Sequence, residues 1–114
     1  MDAMLERLRT YGADMDGAMD RFLEDVELYK TCYTAFLQDE AFPLLGKALA
    51  QKEYETAFEC AHALKGITGN MGLTPLYQVI CRMVEELREQ KYAGLQEGYA
   101  EIQRQLALLK KLQE

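Results

Sequence analysis

The only histidine of the 114-residue chain, His62, has neighbours that could support chemistry on its imidazole. On a helical wheel drawn at about 100° per residue, Lys65, Gly66 and Gly69 share the face of His62. A neutral imidazole offers a nitrogen lone pair that can attack phosphorus and carry a phosphoryl group covalently. A cation one turn away can offset the charge of the phosphoryl oxygens, and Lys65 is placed to do so. The pattern favours phosphoryl transfer through His62.

Two glycines interrupt this predicted helix on the same face as the histidine. A glycine inside a helix costs about 0.5–1 kcal/mol relative to alanine. We therefore expect Gly66 and Gly69 to leave the backbone bare so that another macromolecule can reach the imidazole. The alternative is that they only fray the helix toward Gly72. The outward face is completed by Glu55, Phe58 and Glu59. The opposite face carries the predicted buried stripe, which consists of Ala57, Cys60, Leu64, Ile67 and Met71.

The elements that position these residues are all predicted to be helices. Helical spacing of apolar residues runs along the whole chain, and strand-like alternation is absent. Thr74 is predicted to cap a helix whose first position is Pro75. Four substantial helices with short connections predict an all-α, antiparallel four-helix bundle with short N-terminal helices covering one end, in a single domain over residues 1–114. The predicted helices span about 2–10, a short segment around Met15–Met19, 26–38, 41–51, 53–70, 74–90 and 92–112.

Composition and charge exclude several classes of partner. A net charge of −6 argues against nucleic acid, because phosphate binding needs a basic face. No stretch approaches the ~20 apolar residues of a membrane span, and the N-terminus lacks a secretory layout, so we expect a cytoplasmic protein without membrane contact. Three cysteines without a metal-ligand spacing are predicted to be small apolar side chains.

Two catalytic interpretations fail on the residues themselves. Cys60 points away from His62 on the same helix, so the two do not form a nucleophile pair. The glycine-rich segment 66–72 lacks the lysine and hydroxyl ending of a P-loop and does not follow a strand. We therefore predict no kinase activity, and the phosphoryl donor must be another protein or domain.

The segments 62–66 (HALKG) and 69–73 (GNMGL) resemble the signature of histidine-containing phosphotransfer (HPt) domains of bacterial two-component phosphorelays. The family pattern is His-x-Leu-Lys-Gly with a further glycine six residues on, which Gly72 supplies. Chain length, helix order and a histidine on the second bundle helix also suit the family.

The resemblance implies that His62 accepts the phosphoryl group, that Lys65 supports its charge and that Gly66 makes room for a receiver domain. The expected partners are a response-regulator receiver domain and a hybrid sensor histidine kinase. Receiver domains bring the aspartate and the Mg²⁺, so the chain itself is expected to be a carrier without cofactor or metal. One departure is Val84, which stands where some members place a polar side chain that steadies the histidine.

A docking surface for the receiver is a further hypothesis. Tyr77 or Val84 would join Phe58 in an apolar patch beside His62, and Glu59, Gly66 and Gly69 would border it. The alternative is that the helix after Pro75 has a wide buried face, as a central bundle helix can have.

Two other functions stay open at this point. The chain could be an adaptor that binds receivers or kinases without being phosphorylated. It could also be an unrelated helical bundle with a weak metal site on His62, Glu59 and Glu55. One chain already supplies a closed bundle, so we expect a monomer.

Overall fold

A computed structural model describes residues 2–113, which contain seven α-helices and no strand. Met1 and Glu114, the two ends of the predicted 1–114 domain, lie outside the described residues. The all-α prediction is confirmed, and each predicted helix end lies within about one turn of the observed end. The helices are α1 (Ala3–Tyr11), α2 (Met15–Arg21), α3 (Val26–Leu37), α4 (Ala41–Ala50), α5 (Tyr54–Asn70), α6 (Thr74–Arg88) and α7 (Leu95–Lys111).

Helices α3 and α4 follow one another along α7 and together form one wall of the bundle. The Tyr33 hydroxyl donates to the Leu109 carbonyl at 2.7 Å, and the Tyr99 hydroxyl donates to the Phe42 carbonyl at 3.0 Å. The α3–α4 wall therefore runs antiparallel to α7. Helix α5 packs against α4 and α6, and α6 packs against α7. The α3–α4 wall and the three helices α5, α6 and α7 form the four sides of the predicted antiparallel bundle.

The core is apolar and its buried hydroxyls are hydrogen-bonded. Tyr29 is fully buried and donates to the Met71 carbonyl at 2.8 Å. Burial raises the pKa of Tyr29 well above its usual range, so the phenol stays protonated and keeps this hydrogen bond. Within residues 2–113, no buried side-chain nitrogen or oxygen lacks a partner. None of the described helices is long and apolar enough to cross a membrane.

The short N-terminal helices cover the end of the bundle where α5 stops, as predicted. The Asp14 amide donates to the Gly72 carbonyl at 2.8 Å. The Arg21 guanidinium donates to the carbonyls of Gly69 at 3.1 Å and Asn70 at 2.8 Å. The last carbonyls of a helix have no partner inside it, so Arg21 supplies one from α2.

Gly72 sets the turn between α5 and α6. Its φ is +72°, and an added Cβ would lie 2.5 Å from the Asp14 carbonyl oxygen. The predicted capping role of Thr74 is wrong: Leu73 takes the N-cap position, and the Thr74 hydroxyl donates to the Gly72 carbonyl at 3.3 Å. The turn directs this hydroxyl back toward α5 rather than onto the first amides of α6. Pro75 does lie in the first turn, as predicted.

We predict that Gly72→Ala lowers the free energy of unfolding by about 1–3 kcal/mol. The new methyl group would meet a backbone oxygen, and the left-handed conformation disfavours any L side chain. Chemical denaturation measures the change, with Gly66→Ala as the control because open space surrounds that position. Equal stability of the Gly72→Ala variant and the wild type would contradict the requirement for glycine at this turn.

Candidate functional site

Helix α5 buries one narrow line of residues and turns His62 to solvent. Four residues of this line are fully buried: Ala57, Ala61, Leu64 and Thr68. Of the predicted buried stripe, Ala57, Leu64 and Met71 are buried, whereas Cys60 and Ile67 are only half-buried. The buried line is therefore rotated toward Ala61 and Thr68. Thr68 can be buried because its hydroxyl donates to the Leu64 carbonyl at 2.8 Å. His62 is exposed on the outward face, as predicted.

The His62 imidazole makes a ring contact and no hydrogen bond within residues 2–113. Phe58, one turn earlier, stacks on it with ring centroids 5.7 Å apart and ring planes 20° apart. No hydrogen bond or ion pair joins the imidazole to any of residues 2–113. Both ring nitrogens are thus open to an approaching electrophile.

His62 lies at an open depression of about 700 Å³ that also contains two cationic side chains. Lys65 is half-buried one turn from His62, and Arg21 enters from α2. Within residues 2–113, Asp14 is the one carboxylate that lines the depression. It accepts a hydrogen bond from the Gly17 amide at 3.1 Å as the cap of α2. The site is therefore suited to the negative oxygens of a phosphoryl group. The lining residues are Asp14, Arg21, His62, Lys65, Gly66, Thr68, Gly69, Asn70, Gly72, Thr74 and Tyr77.

Arg21 is a residue of this site that the sequence did not indicate. It lies on a different helix, 41 positions before His62, and no local pattern connects the two. Only the docking of α2 against the end of α5 brings its guanidinium to the depression.

The two glycines beside His62 differ in what surrounds them. Apart from the neighbouring residues and backbone of α5 itself, no atom of residues 2–113 lies within 4 Å of a Cβ added at Gly66, so packing in this part of the chain does not require a glycine there. A Cβ added at Gly69 would lie 3.0 Å from Cε1 of Tyr77, so this glycine makes room for the tyrosine ring. The predicted access to the backbone therefore applies to Gly66, whereas the space at Gly69 is filled from within by Tyr77.

The predicted docking residues divide between surface and core. Val84 is completely buried, so its predicted contact with a partner is wrong: α6 has the wide buried face that was the alternative. Tyr77 and Phe58 are half-buried, and Glu59 is exposed. The neighbouring Cys81 thiol, chiefly through side-chain hydrogen bonding, raises the pKa of the Tyr77 hydroxyl.

Cysteine and metal chemistry gain no support at this site. Burial, followed by the charges of Glu59 and Asp39, raises the pKa of the Cys60 thiol, so the nucleophilic thiolate is disfavoured. All three cysteines are free and half-buried. Among residues 2–113, no group of three or more His, Cys, Asp or Glu side chains is arranged to hold a metal ion.

Comparison with known proteins agrees with the site. The Hpt domain family model matches residues 3–112, which is essentially the whole chain. The chain belongs to the Hpt domain family, whose members are phosphocarrier modules of phosphorelays rather than catalysts. The recognition from the 62–66 and 69–73 segments is thereby confirmed. No curated protein and no solved structure gives a significant match.

Proposed function

We propose that this protein carries a phosphoryl group between receiver-domain aspartates through His62. One observation carries the proposal: the His62 imidazole is exposed and makes no hydrogen bond within residues 2–113. On the same face of α5, Lys65 and the open backbone at Gly66 lie one turn further along the helix. A carrier needs a nucleophile that two different partners can reach in turn. An open depression on one face of a rigid helix meets that need.

In the proposed transfer step, the bonds formed and broken and the protons balance without any residue of this chain acting as a general base. A lone pair on a neutral imidazole nitrogen attacks the phosphorus of an aspartyl phosphate, the N–P bond forms, and the P–O bond to the carboxyl breaks. The aspartate leaves as a carboxylate, and the imidazole, with its other N–H retained, carries the phosphoryl group as a cation. Reversal of the same step donates the group to the next aspartate.

Lys65 and Arg21 are the charges of this chain that face the phosphoryl group in the proposal. Lys65 is half-buried, which strengthens its attraction for the phosphoryl oxygens relative to a fully solvated side chain. Arg21 is already bonded to two carbonyls of α5, so its guanidinium is held in place before any partner arrives. We propose that Mg²⁺ is supplied by the receiver and that no cofactor belongs to this chain.

The proposed docking surface for the receiver surrounds Gly66. Gly66 lines both the depression of His62 and an apolar groove between α3 and α5, so a side chain there would stand between two concave surfaces. Glu59, Tyr77 and the exposed part of Phe58 border the surface on the other sides of His62. The groove is lined chiefly by Phe22, Cys32, Ala35, Phe36, Ala63 and Ile67.

A hybrid histidine kinase as the upstream donor, a cytoplasmic location and a monomeric state stay predictions. They rest on the family resemblance, the composition and the closed bundle.

We predict that phosphorylated receiver domains transfer label to the wild type and not to His62→Gln. The label should be acid-labile and alkali-stable, because a phosphoramidate hydrolyses in acid. Autoradiography after incubation with a panel of labelled receivers measures it. Label on the His62→Gln variant would contradict the assignment of the site, and receiver binding without any label would favour the adaptor instead.

We predict that Gly66→Ala makes the protein more stable but weakens its binding to the receiver domain. Alanine raises the free energy of unfolding by about 0.5–1 kcal/mol in a helix, because no neighbour obstructs its methyl group. The methyl group should obstruct the receiver and raise the half-saturating receiver concentration in transfer assays. Gly98→Ala on α7 is the control away from the site. Unchanged transfer by a stabilised Gly66→Ala variant would show that the glycine does not serve access.

A further inference from the structure

A series of four side chains connects α6 to the imidazole. Arg88 places its guanidinium carbon 5.5 Å from the centre of the Phe58 ring, and Phe58 stacks on His62. Arg88 is itself paired with Glu85, one turn earlier on α6. The contacts thus run from Glu85 through Arg88 and Phe58 to His62.

No side chain of α6 within the described residues donates a hydrogen bond to the imidazole or accepts one from it. Val84, which the family resemblance matches to the position of a steadying polar side chain, is apolar and completely buried. An exposed side chain without a fixed contact exchanges between rotamers on a picosecond to nanosecond timescale. In residues 2–113, the stack on Phe58 is the one aromatic contact that His62 makes.

Building on the proposed function, we propose that Phe58 is a positioning residue that holds the His62 imidazole in the geometry for transfer. A stack contacts the face of the imidazole and leaves both nitrogens at its edge free, whereas a hydrogen bond would occupy one of them. In-line attack requires a nitrogen lone pair directed at phosphorus. Restricting the ring raises the fraction of molecules in that geometry.

Arg88 contributes by holding Phe58 rather than by meeting the phosphoryl group. A guanidinium over an aromatic face is attracted by the ring quadrupole, and its pairing with Glu85 keeps it near α6. The position of Phe58 is thereby set by two helices, α5 through its backbone and α6 through Arg88.

The role of the ring can be separated from an apolar docking contact. Phe58→Leu keeps an apolar side chain for the receiver but removes the aromatic face, and Phe58→Tyr keeps that face. Tyr54→Leu is the matched control: Tyr54 lies one turn before Phe58 on α5, and its ring stacks on Tyr92 with centroids 3.7 Å apart, away from His62.

The experiment measures single-turnover transfer from a phosphorylated receiver over a range of receiver concentrations. For Phe58→Leu we expect the maximal rate to fall about two- to tenfold with an unchanged half-saturating concentration. Tyr54→Leu should transfer at the wild-type rate, and Phe58→Tyr, which keeps the aromatic face, should recover most of the maximal rate that Phe58→Leu loses. Proton NMR of the His62 ring should show upfield-shifted resonances in the wild type that return toward those of a free imidazole only in Phe58→Leu.

Each contrary result has a distinct meaning. The maximal rate of Phe58→Leu could stay unchanged while its His62 resonances return toward those of a free imidazole. That result would overturn the positioning role of Phe58 and leave the proposed carrier function intact. A raised half-saturating concentration at an unchanged maximal rate would overturn it in favour of a docking contact. Failure of the wild type to accept label from any receiver would overturn the proposed function and this inference together.

Discussion

The complete burial of one line of α5 determines where the rest of the site lies. Ala57, Ala61, Leu64 and Thr68 are inaccessible to solvent between α4 and α6, so α5 cannot rotate about its axis without exposing apolar surface or burying His62. Exposing a leucine-sized side chain costs about 1.5–3 kcal/mol, and burying an unpaired imidazole adds a desolvation cost. The outward direction of His62 therefore follows from core packing rather than from any contact that His62 itself makes.

The end of α5 ties this orientation to the N-terminal helices. Gly72 allows the backbone to pass within hydrogen-bonding distance of Asp14, and Arg21 binds the last carbonyls of α5. The same guanidinium lines the depression of His62. A stabilising contact of the fold thus also places a positive charge at the site, which links the stability of the N-terminal region to the electrostatics of transfer.

The sequence predicted what depends on local spacing and missed what depends on helix docking. His62, Lys65 and Gly66 share a face because of helical periodicity, and Phe58 was predicted there for the same reason. Arg21 reaches the depression of His62 from α2, and Arg88 reaches the Phe58 ring from α6, so no spacing within α5 indicates them. Val84 was included in the docking hypothesis, with a wide buried face of α6 as the alternative, because the sequence of α6 alone does not show how many helices contact it.

The most direct test of the carrier function is return transfer from the isolated phosphoprotein. The protein is phosphorylated by one receiver, purified, and mixed with an unphosphorylated receiver, while label is followed on both proteins. If His62 is a carrier, label lost from His62 appears on the receiver aspartate, with little release of inorganic phosphate during the exchange. Label that stays on the protein, or that passes only to water, would contradict a carrier role for His62.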